Sequence, residues 1–346
     1  MRELKDLSLN ITEPEYRELP YLSYSAIARY AKEGFNCLSK LDEKLETPSL
    51  TFGSMVDTLI TEGSEAFNSK FVIAKEINAA DGVKNIIKEV FSINNSSSLV
   101  DIDKDTIISI ARTQEYRNNW KDDTLYNHII KEGSEYYDLL KLSVGKILVS
   151  SDEYAKALAV YDCLKTNELT KHYFKDNNPF DDTVKRYYQL KFVTDWDNGM
   201  PTCKCMFDLI IVNYETMEII PCDLKTTSRP EYEFSEVFIK YRYDIQGSLY
   251  SKILKNIISK DEYFKDFTIK PFKFIVVNKE SLNPLIWEFD YHLIESPLII
   301  GDITLNNVYD LILNMTEEKN RELPIGVTNK QSNNIIEKLK QKYERQ

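Results

Sequence analysis

Asp208, Asp223 and Lys225 are the residues of this chain whose types and spacing carry chemistry. They lie in two mostly apolar runs, Lys204-Cys205-Met206-Phe207-Asp208-Leu209-Ile210 and Pro221-Cys222-Asp223-Leu224-Lys225-Thr226-Thr227. Both runs read as β-strands joined by a turn. With Tyr214 to Met217 as the turn, Asn213 pairs with Glu218, and counting back sets Asp208 directly across from Asp223. Opposed side chains share a sheet face with Cβ atoms about 5 Å apart. Lys225, two residues on, shares that face too. Two like charges so close are costly unless a cation lies between them. Oxygen ligands of this kind suit Mg²⁺ or Mn²⁺. A cation held by two carboxylates beside a lysine is equipment for hydrolysing a phosphodiester.

The strands that must position these groups are read from alternation. Cys205, Phe207, Leu209 and Ile211 take one face; Met206, Asp208, Ile210 and Val212 take the other. Asp-x-Lys alone is unspecific, because Asp42-Glu43-Lys44 matches it and reads as a surface turn. The competing reading of the hairpin is an exposed ribbon with ordinary solvated charges. The opposed Asp208 and the apolar flanks argue against it.

Around the hairpin, residues 1 to 20 read as an irregular leader. Ser23 and Ser25 supply hydroxyl caps for a helix through Ile27 and Tyr30. Met55, Val56, Leu59 and Ile60 lie at helical spacing, with Gly53 at or near the helix start and Asp57 within the helix. Residues 74 to 150 read mostly as helices, with a loop at Asn94 to Ser98. Ser150 with Glu153 fits a capping box before a helix through Tyr154, Leu158 and Leu164. Strands follow at Arg186 to Asp195, after which Asp197-Asn198-Gly199 reads as a turn, and in the two runs above. A helix is expected from about Phe234 to Ile257, strands at Phe272 to Asn278 and Pro284 to Phe289, helix at 292 to 315, and a polar terminal helix at Lys330 to Arg345. This order predicts an α/β fold with a central mixed sheet flanked by helices and a helical N-terminal portion.

Composition bounds the function. The chain has 346 residues, 42% hydrophobic and 29% charged, as in a soluble globular protein. No apolar run is long enough for a membrane span, and the charged N-terminus lacks a secretory signal core. The five scattered cysteines, Cys37, Cys163, Cys203, Cys205 and Cys222, suggest reduced thiols in a cytoplasm. Cys203 and Cys205 read as core thiols rather than metal ligands. His128, His172 and His292 are too few and scattered for a histidine-based site. A net charge of −11 argues against a general nucleic-acid binder. It leaves a nuclease open, since only the groove must be positive. Lys185, Arg186, Lys191, Lys225, Arg229, Lys240 and Arg242 could line one.

Four segments in order resemble the PD-(D/E)xK nuclease superfamily, in particular its phage and prophage branch of RecE-like exonucleases. Tyr21-Leu22-Ser23-Tyr24-Ser25 resembles the branch's opening Leu-Ser-x-Ser helix. Phe52 to Ile60 resembles its Gly-x-x-x-His helix, with Asp57 at the histidine position. Lys204 to Thr227 resembles its hairpin, with Met206 where the family has arginine. Tyr241-Arg242-Tyr243-Asp244-Ile245-Gln246-Gly247-Ser248-Leu249-Tyr250 resembles its Tyr-x-x-Gln-x-x-x-Tyr helix. The resemblance spans roughly residues 20 to 295. It implies a restriction-endonuclease-like core at about 181–295 behind a helical part at about 20–180. Together these would form one domain over 1–315, followed by a polar helix or tail at 316–346.

The resemblance also implies roles. Asp208, Asp223 and the Leu224 carbonyl would ligate Mg²⁺, with Mn²⁺ substituting, and Asp57 would complete the site. Lys225, with a pKa depressed beside the cation, would orient or deprotonate water and stabilise phosphate charge. Gln246 and Tyr250, on one helix face, would contact phosphate or brace the site. Gln189 is the nearest polar residue to the position of a further acid on the preceding strand. The implied activity is a 5′-to-3′ double-strand exonuclease in phage recombination. It would act on duplex DNA ends beside a single-strand annealing protein, in the cytoplasm, with homo-oligomers open. Two alternatives stand beside it. One is a DNA-binding or scaffolding protein without the chemistry, motivated by Asp57 and Gln189. The other is an endonuclease in DNA processing.

Overall fold

The computed structural model describes residues 2–41, 47–74, 79–94, 96–195, 200–290, 296–300 and 303–319. The expected turns at Asp42-Glu43-Lys44 and Asp197-Asn198-Gly199, the helix at Lys330 to Arg345, and His292 lie outside them. In chain order the N-terminal half runs α1 (Glu13–Glu18), α2 (Tyr24–Glu33), α3 (Pro48–Thr61), α4 (Gly63–Lys70), β1 (Phe71–Ala74), α5 (Asp81–Ile93), α6 (Lys104–Thr113), α7 (Asp122–Leu142), β2 (Ile147–Ser150) and α8 (Ser151–Thr166). Then come β3 (Val184–Thr194), β4 (Cys203–Asn213), β5 (Glu218–Thr227), α9 (Phe234–Tyr241), α10 (Tyr243–Ser259), β6 (Thr268–Ile269), β7 (Phe272–Asn278), β8 (Pro284–Phe289), β9 (Leu298–Ile300), β10 (Ile303–Leu305) and α11 (Val308–Lys319).

The architecture is mixed α/β, with helices on both faces of a central sheet ordered β3-β4-β5-β7-β8 and β6 beside β5. Strands β3, β4 and β5 form an antiparallel meander. The α9–α10 crossover then brings β7 in parallel to β5, and β8 closes the edge antiparallel. One core packs α2, α9, α10 and α11 on one face of the sheet. A second packs α3 and α8 on the other. A third belongs to α5, α6 and α7. That helical insert is carried on a short parallel stem, β1 against β2.

Local sequence explains many of these elements. The Ser23 side chain accepts from Ala26 N at the start of α2. Ser150 and Glu153 form the expected capping box of α8. At the β4–β5 turn, Asn213 Oδ1 accepts from the backbone N–H groups of Glu215 and Thr216, 3.0 and 3.1 Å away. This side-chain mimic of a turn sets Asn213 against Glu218, as counted from the sequence.

Several expectations are corrected. The leader is ordered: Leu4 is buried, and α1 carries its own Thr12–Glu15 capping box. The end of α1 is tied to the sheet by the buried Lys204, whose Nζ donates to the carbonyls of Tyr16, Arg17 and Leu19. Gly53 lies inside α3, which starts at Pro48 behind a Thr47 cap. The helix expected from Phe234 to Ile257 is two helices broken at Arg242, whose φ is +54°. Within 292 to 315, the described residues hold the β9–β10 hairpin before the helix begins at Val308. That helix, α11, runs to Lys319, past the helix end expected at 315.

Strict alternation also fails where the chemistry lies. Cys203, Cys205 and Phe207 pack into the α10-side core, but so do Ile210 and Val212; Leu209 and Ile211 pack against α3 and α8. The phase slips at Asp208. In β3 it slips at the facing position, because Tyr187 and Leu190 share the α10 side while Tyr188 takes the other. The residue between them, Gln189, is left-handed with φ +54°. A left-handed residue turns the strand, so the side-chain alternation restarts on the opposite face. The β3–β4 ladder skips the Gln189–Asp208 pair and resumes on either side.

Candidate metal and phosphate site

β4 and β5 pair from Asn213–Glu218 back to Leu209–Cys222, and the ladder stops there. The next pair would be Asp208 with Asp223, the direct opposition expected from the register. Instead, Asp208 Oδ2 accepts from the backbone N–H of Leu224 at 2.9 Å. The carboxylate takes a donor that a continued ladder would have paired with backbone. Beyond Cys222, β5 pairs with β7, and the sheet opens between β4 and β5.

Asp57 reaches this opening from α3. A narrow cavity of about 10 Å³ is lined by Asp57, Thr61, Tyr188, Asp208, Asp223 and Leu224, among others. That is room for about one water molecule or a bare ion. Three carboxylates from α3, β4 and β5 therefore face one space, although Asp57 is far from the other two in sequence. Gln189 Nε2 donates to Asp57 Oδ2 at 2.8 Å. Asp57 Oδ1 is sealed from solvent and has no hydrogen-bond partner.

Lys225 and Gln246 meet Asp223 from the α10 side and do not line that cavity. Lys225 Nζ lies 2.6 Å from Asp223 Oδ2. Gln246 Nε2 donates to Asp223 Oδ1 at 2.5 Å, while Gln246 Oε1 is buried without a partner. Tyr250 is a core residue beneath the hairpin. Its ring packs edge-on against Phe207 and Phe272, with centroids 5.1 and 6.2 Å away. Of the two roles expected for it, this placement suits bracing. Thus Asp57, Asp208, Asp223 and the Leu224 backbone share the cavity. Lys225 and Gln246 attach to it through Asp223, and Tyr250 stands behind.

The electrostatics follow from burial and crowding. Burial pushes the Asp208 carboxyl well above the ordinary range, and the neighbouring Asp223 and Asp57 push it further; Lys225 and the Leu224 N–H act against them. Burial, then the charges of Glu13 and Asp223, raise Asp57 to about 7. For Lys225, burial acts to lower the pKa, but Asp223, Tyr243 and Asp208 outweigh it and hold the ammonium above the ordinary lysine value. The depression expected from the sequence applies to a lysine beside a bound cation; the carboxylates by themselves act in the opposite direction.

The donor set fits a hard cation. It is oxygen only, a positive charge would relieve the repulsion that lifts Asp208 and Asp57, and Asp57 Oδ1 has an unused lone pair. Among the described residues, no group of three or more His, Cys, Asp or Glu side chains is gathered tightly enough to hold a metal ion by itself. The three carboxylates share a cavity rather than a coordination sphere.

Two residues gained weight only in three dimensions. Gln189, noted in the sequence as the nearest polar group on its strand, is the partner of Asp57. Tyr243 was read only as part of a helix motif, yet Lys225 Nζ lies 4.7 Å from its ring centroid. Its position three residues before Gln246, hence on the same helix face, was the available signal.

The cysteines are all free and buried, in line with core thiols. No described helix is long and apolar enough to cross a membrane. A scan against protein-family models and a search of curated proteins return no match.

Proposed function

We propose that this protein is a divalent-cation-dependent nuclease with a restriction-endonuclease-like core, hydrolysing phosphodiester bonds in DNA. The observation that carries the reading is the convergence of Asp57, Asp208 and Asp223 on one cavity, with Lys225 anchored to Asp223. The resemblance to RecE-like exonucleases adds the substrate, a duplex DNA end, and the context, phage recombination beside a single-strand annealing protein.

In this reading Asp208 and Asp223 hold Mg²⁺ or Mn²⁺, with the Leu224 carbonyl and Asp57 as further oxygen donors. When bound, the cation supplies Lewis acidity and neutralises the crowded carboxylates. Lys225 offers positive charge where the phosphate becomes more negative, a preorganised stabilisation of the transition state. Gln246 fixes the rotamer of Asp223 through its amide hydrogen bond. Gln189 holds Asp57 in the cavity wall. Tyr250 packs under the hairpin so that these groups do not drift.

The test is nucleotide release from linear duplex DNA with Mg²⁺, with Mn²⁺ and with EDTA. Release that requires the cation and spares covalently closed circles is expected. Cutting of closed circles would replace the exonuclease with an endonuclease. DNA binding without release under any cation would leave the scaffolding alternative, in which the hydrogen bonds from Gln189 and Gln246 serve only to pack the site.

A further inference from the structure

The break between α9 and α10 has no glycine to explain it. Arg242 is left-handed there, a conformation that side-chain-bearing residues adopt at a cost. Neighbours hold the corner from several directions. Arg242 Nε and Nη2 each lie 3.0 Å from an oxygen of the buried Asp244. Arg242 Nη2 also donates to the Asn306 carbonyl at 2.7 Å. The Tyr24 hydroxyl donates to the Tyr241 carbonyl at 2.7 Å. A strained position so thoroughly supported invites the question of what it produces.

Its product is a stack. In an unbroken helix, residues two apart do not face each other. Here Tyr241 and Tyr243 are stacked, with centroids 5.8 Å apart and planes at 26°. Inward, the Tyr243 ring carries Lys225 Nζ. Outward, Tyr241 is 48% exposed, and Lys240 Nζ lies 5.4 Å from its ring centroid. A row of Lys225, Tyr243, Tyr241 and Lys240 therefore runs from the site to solvent, with ammonium groups at both ends and aromatic rings between.

An exposed aromatic ring, backed by a second and flanked by cations, suits a flat heterocycle attached to phosphate. Every nucleobase offers such a face, so stacking of this kind tolerates any sequence. Within a duplex that face is covered by neighbouring bases; on an unpaired strand it is free. We propose that Tyr241 is a stacking platform for a base of an unpaired DNA strand, with Lys240 beside it and the strand's backbone leading toward Lys225. The direction toward Lys225 rests on the nuclease reading above. The platform itself rests only on the stack and its exposure.

The test uses the full-length chain in EDTA and a short single-stranded DNA carrying one 2-aminopurine, a base whose fluorescence falls on stacking. Wild type should quench it on binding. Tyr241→Leu should lose the quench and bind roughly tenfold more weakly, while Tyr241→Trp should keep both. A blunt duplex should bind both variants within about twofold of wild type, since it offers no free internal base. Circular dichroism checks that each variant is folded. An unchanged quench in Tyr241→Leu would overturn the proposal, as would Tyr241→Trp behaving like Tyr241→Leu. Nucleotide release with Mg²⁺ is scored separately on wild type. Quench without release keeps the platform and removes the nuclease; release with a quench indifferent to Tyr241 removes the platform alone.

Discussion

The helical insert between β1 and β2 and the opening between β4 and β5 both bury polar groups, on different terms. In the insert, Val83, Ile86, Ile87 and Val90 of α5 pack with Ile107 of α6 and with Leu125 and Ile129 of α7. Its fully buried Tyr137 is satisfied, the hydroxyl donating toward the carbonyls of Asn94 and Ser96. In the opening, Asp57 keeps a buried oxygen without a partner, as does Gln246 behind Asp223, and Asp57 and Asp208 are held near like charge. Unsatisfied buried oxygens cost stability and are rare. The insert is organised to be stable. The opening leaves a buried carboxylate oxygen unpaired and crowds like charges, at a cost in stability.

Substitutions can break that comparison. The largest expected effect is on activity: Asp208→Asn and Asp223→Asn should each lower DNA hydrolysis by at least about a hundredfold, because each weakens a metal ligand. Asp208→Asn removes a buried, crowded charge and should not lower the melting temperature, whereas Asp223→Asn breaks the buried ion pair with Lys225 and should lower it. Activity within a few-fold of wild type in a folded protein would place the chemistry elsewhere.

Lys225→Gln should abolish nucleotide release while sparing affinity for duplex ends and for Mn²⁺. The amide approximates the side-chain reach but cannot supply charge to the phosphate. Measuring release and both affinities on one variant decides the role: if affinity for DNA falls with release, Lys225 is mainly a phosphate anchor.

In the insert the expected pattern is inverted. Ile87→Ala removes a fully buried side chain that packs against Gly133. It should cost about 2–5 kcal/mol of stability and leave hydrolysis per folded molecule unchanged. Denaturant unfolding and active-fraction assays measure the two. A loss of specific activity would mean that the insert shapes the site.

The smallest effect depends on pH. Asp57 is raised from its ordinary value of 3.8 to about 7, so the native state binds its proton more tightly than the unfolded chain does. Its favourable contribution is complete below about pH 4 and is lost as pH rises through about 7. Asp57→Asn should therefore stabilise the protein at pH 8 by on the order of 2 kcal/mol, with the difference vanishing near pH 4, and it should reduce activity. Urea unfolding of both proteins at the two pH values checks the sign. Equal stabilities at pH 8 would mean that Asp57 is solvated, and its place in the site would be lost.

Local sequence was enough for much of the molecule. The Ser23 and Ser150 caps, the Asn213–Glu218 register, the antiparallel meander and the mixed sheet follow from patterns spanning two to four residues, where propensity and capping act. The short turn also made the β4–β5 register legible as far as Leu209–Cys222, but the direct Asp208–Asp223 pair counted from it does not form, because the ladder stops there. Tertiary structure decided the rest. Gln189 and Arg242 are left-handed positions that no local sequence signal marks, and the Gln189–Asp57 hydrogen bond spans 132 positions. The phase slip at Asp208 arises because both sheet faces are covered, so apolar residues on either side satisfy burial and alternation no longer marks a face. The high pKa of Lys225 likewise comes from the carboxylates that folding places beside it. A residue's type is written in the chain, but its charge state and partners depend on what the fold brings near it.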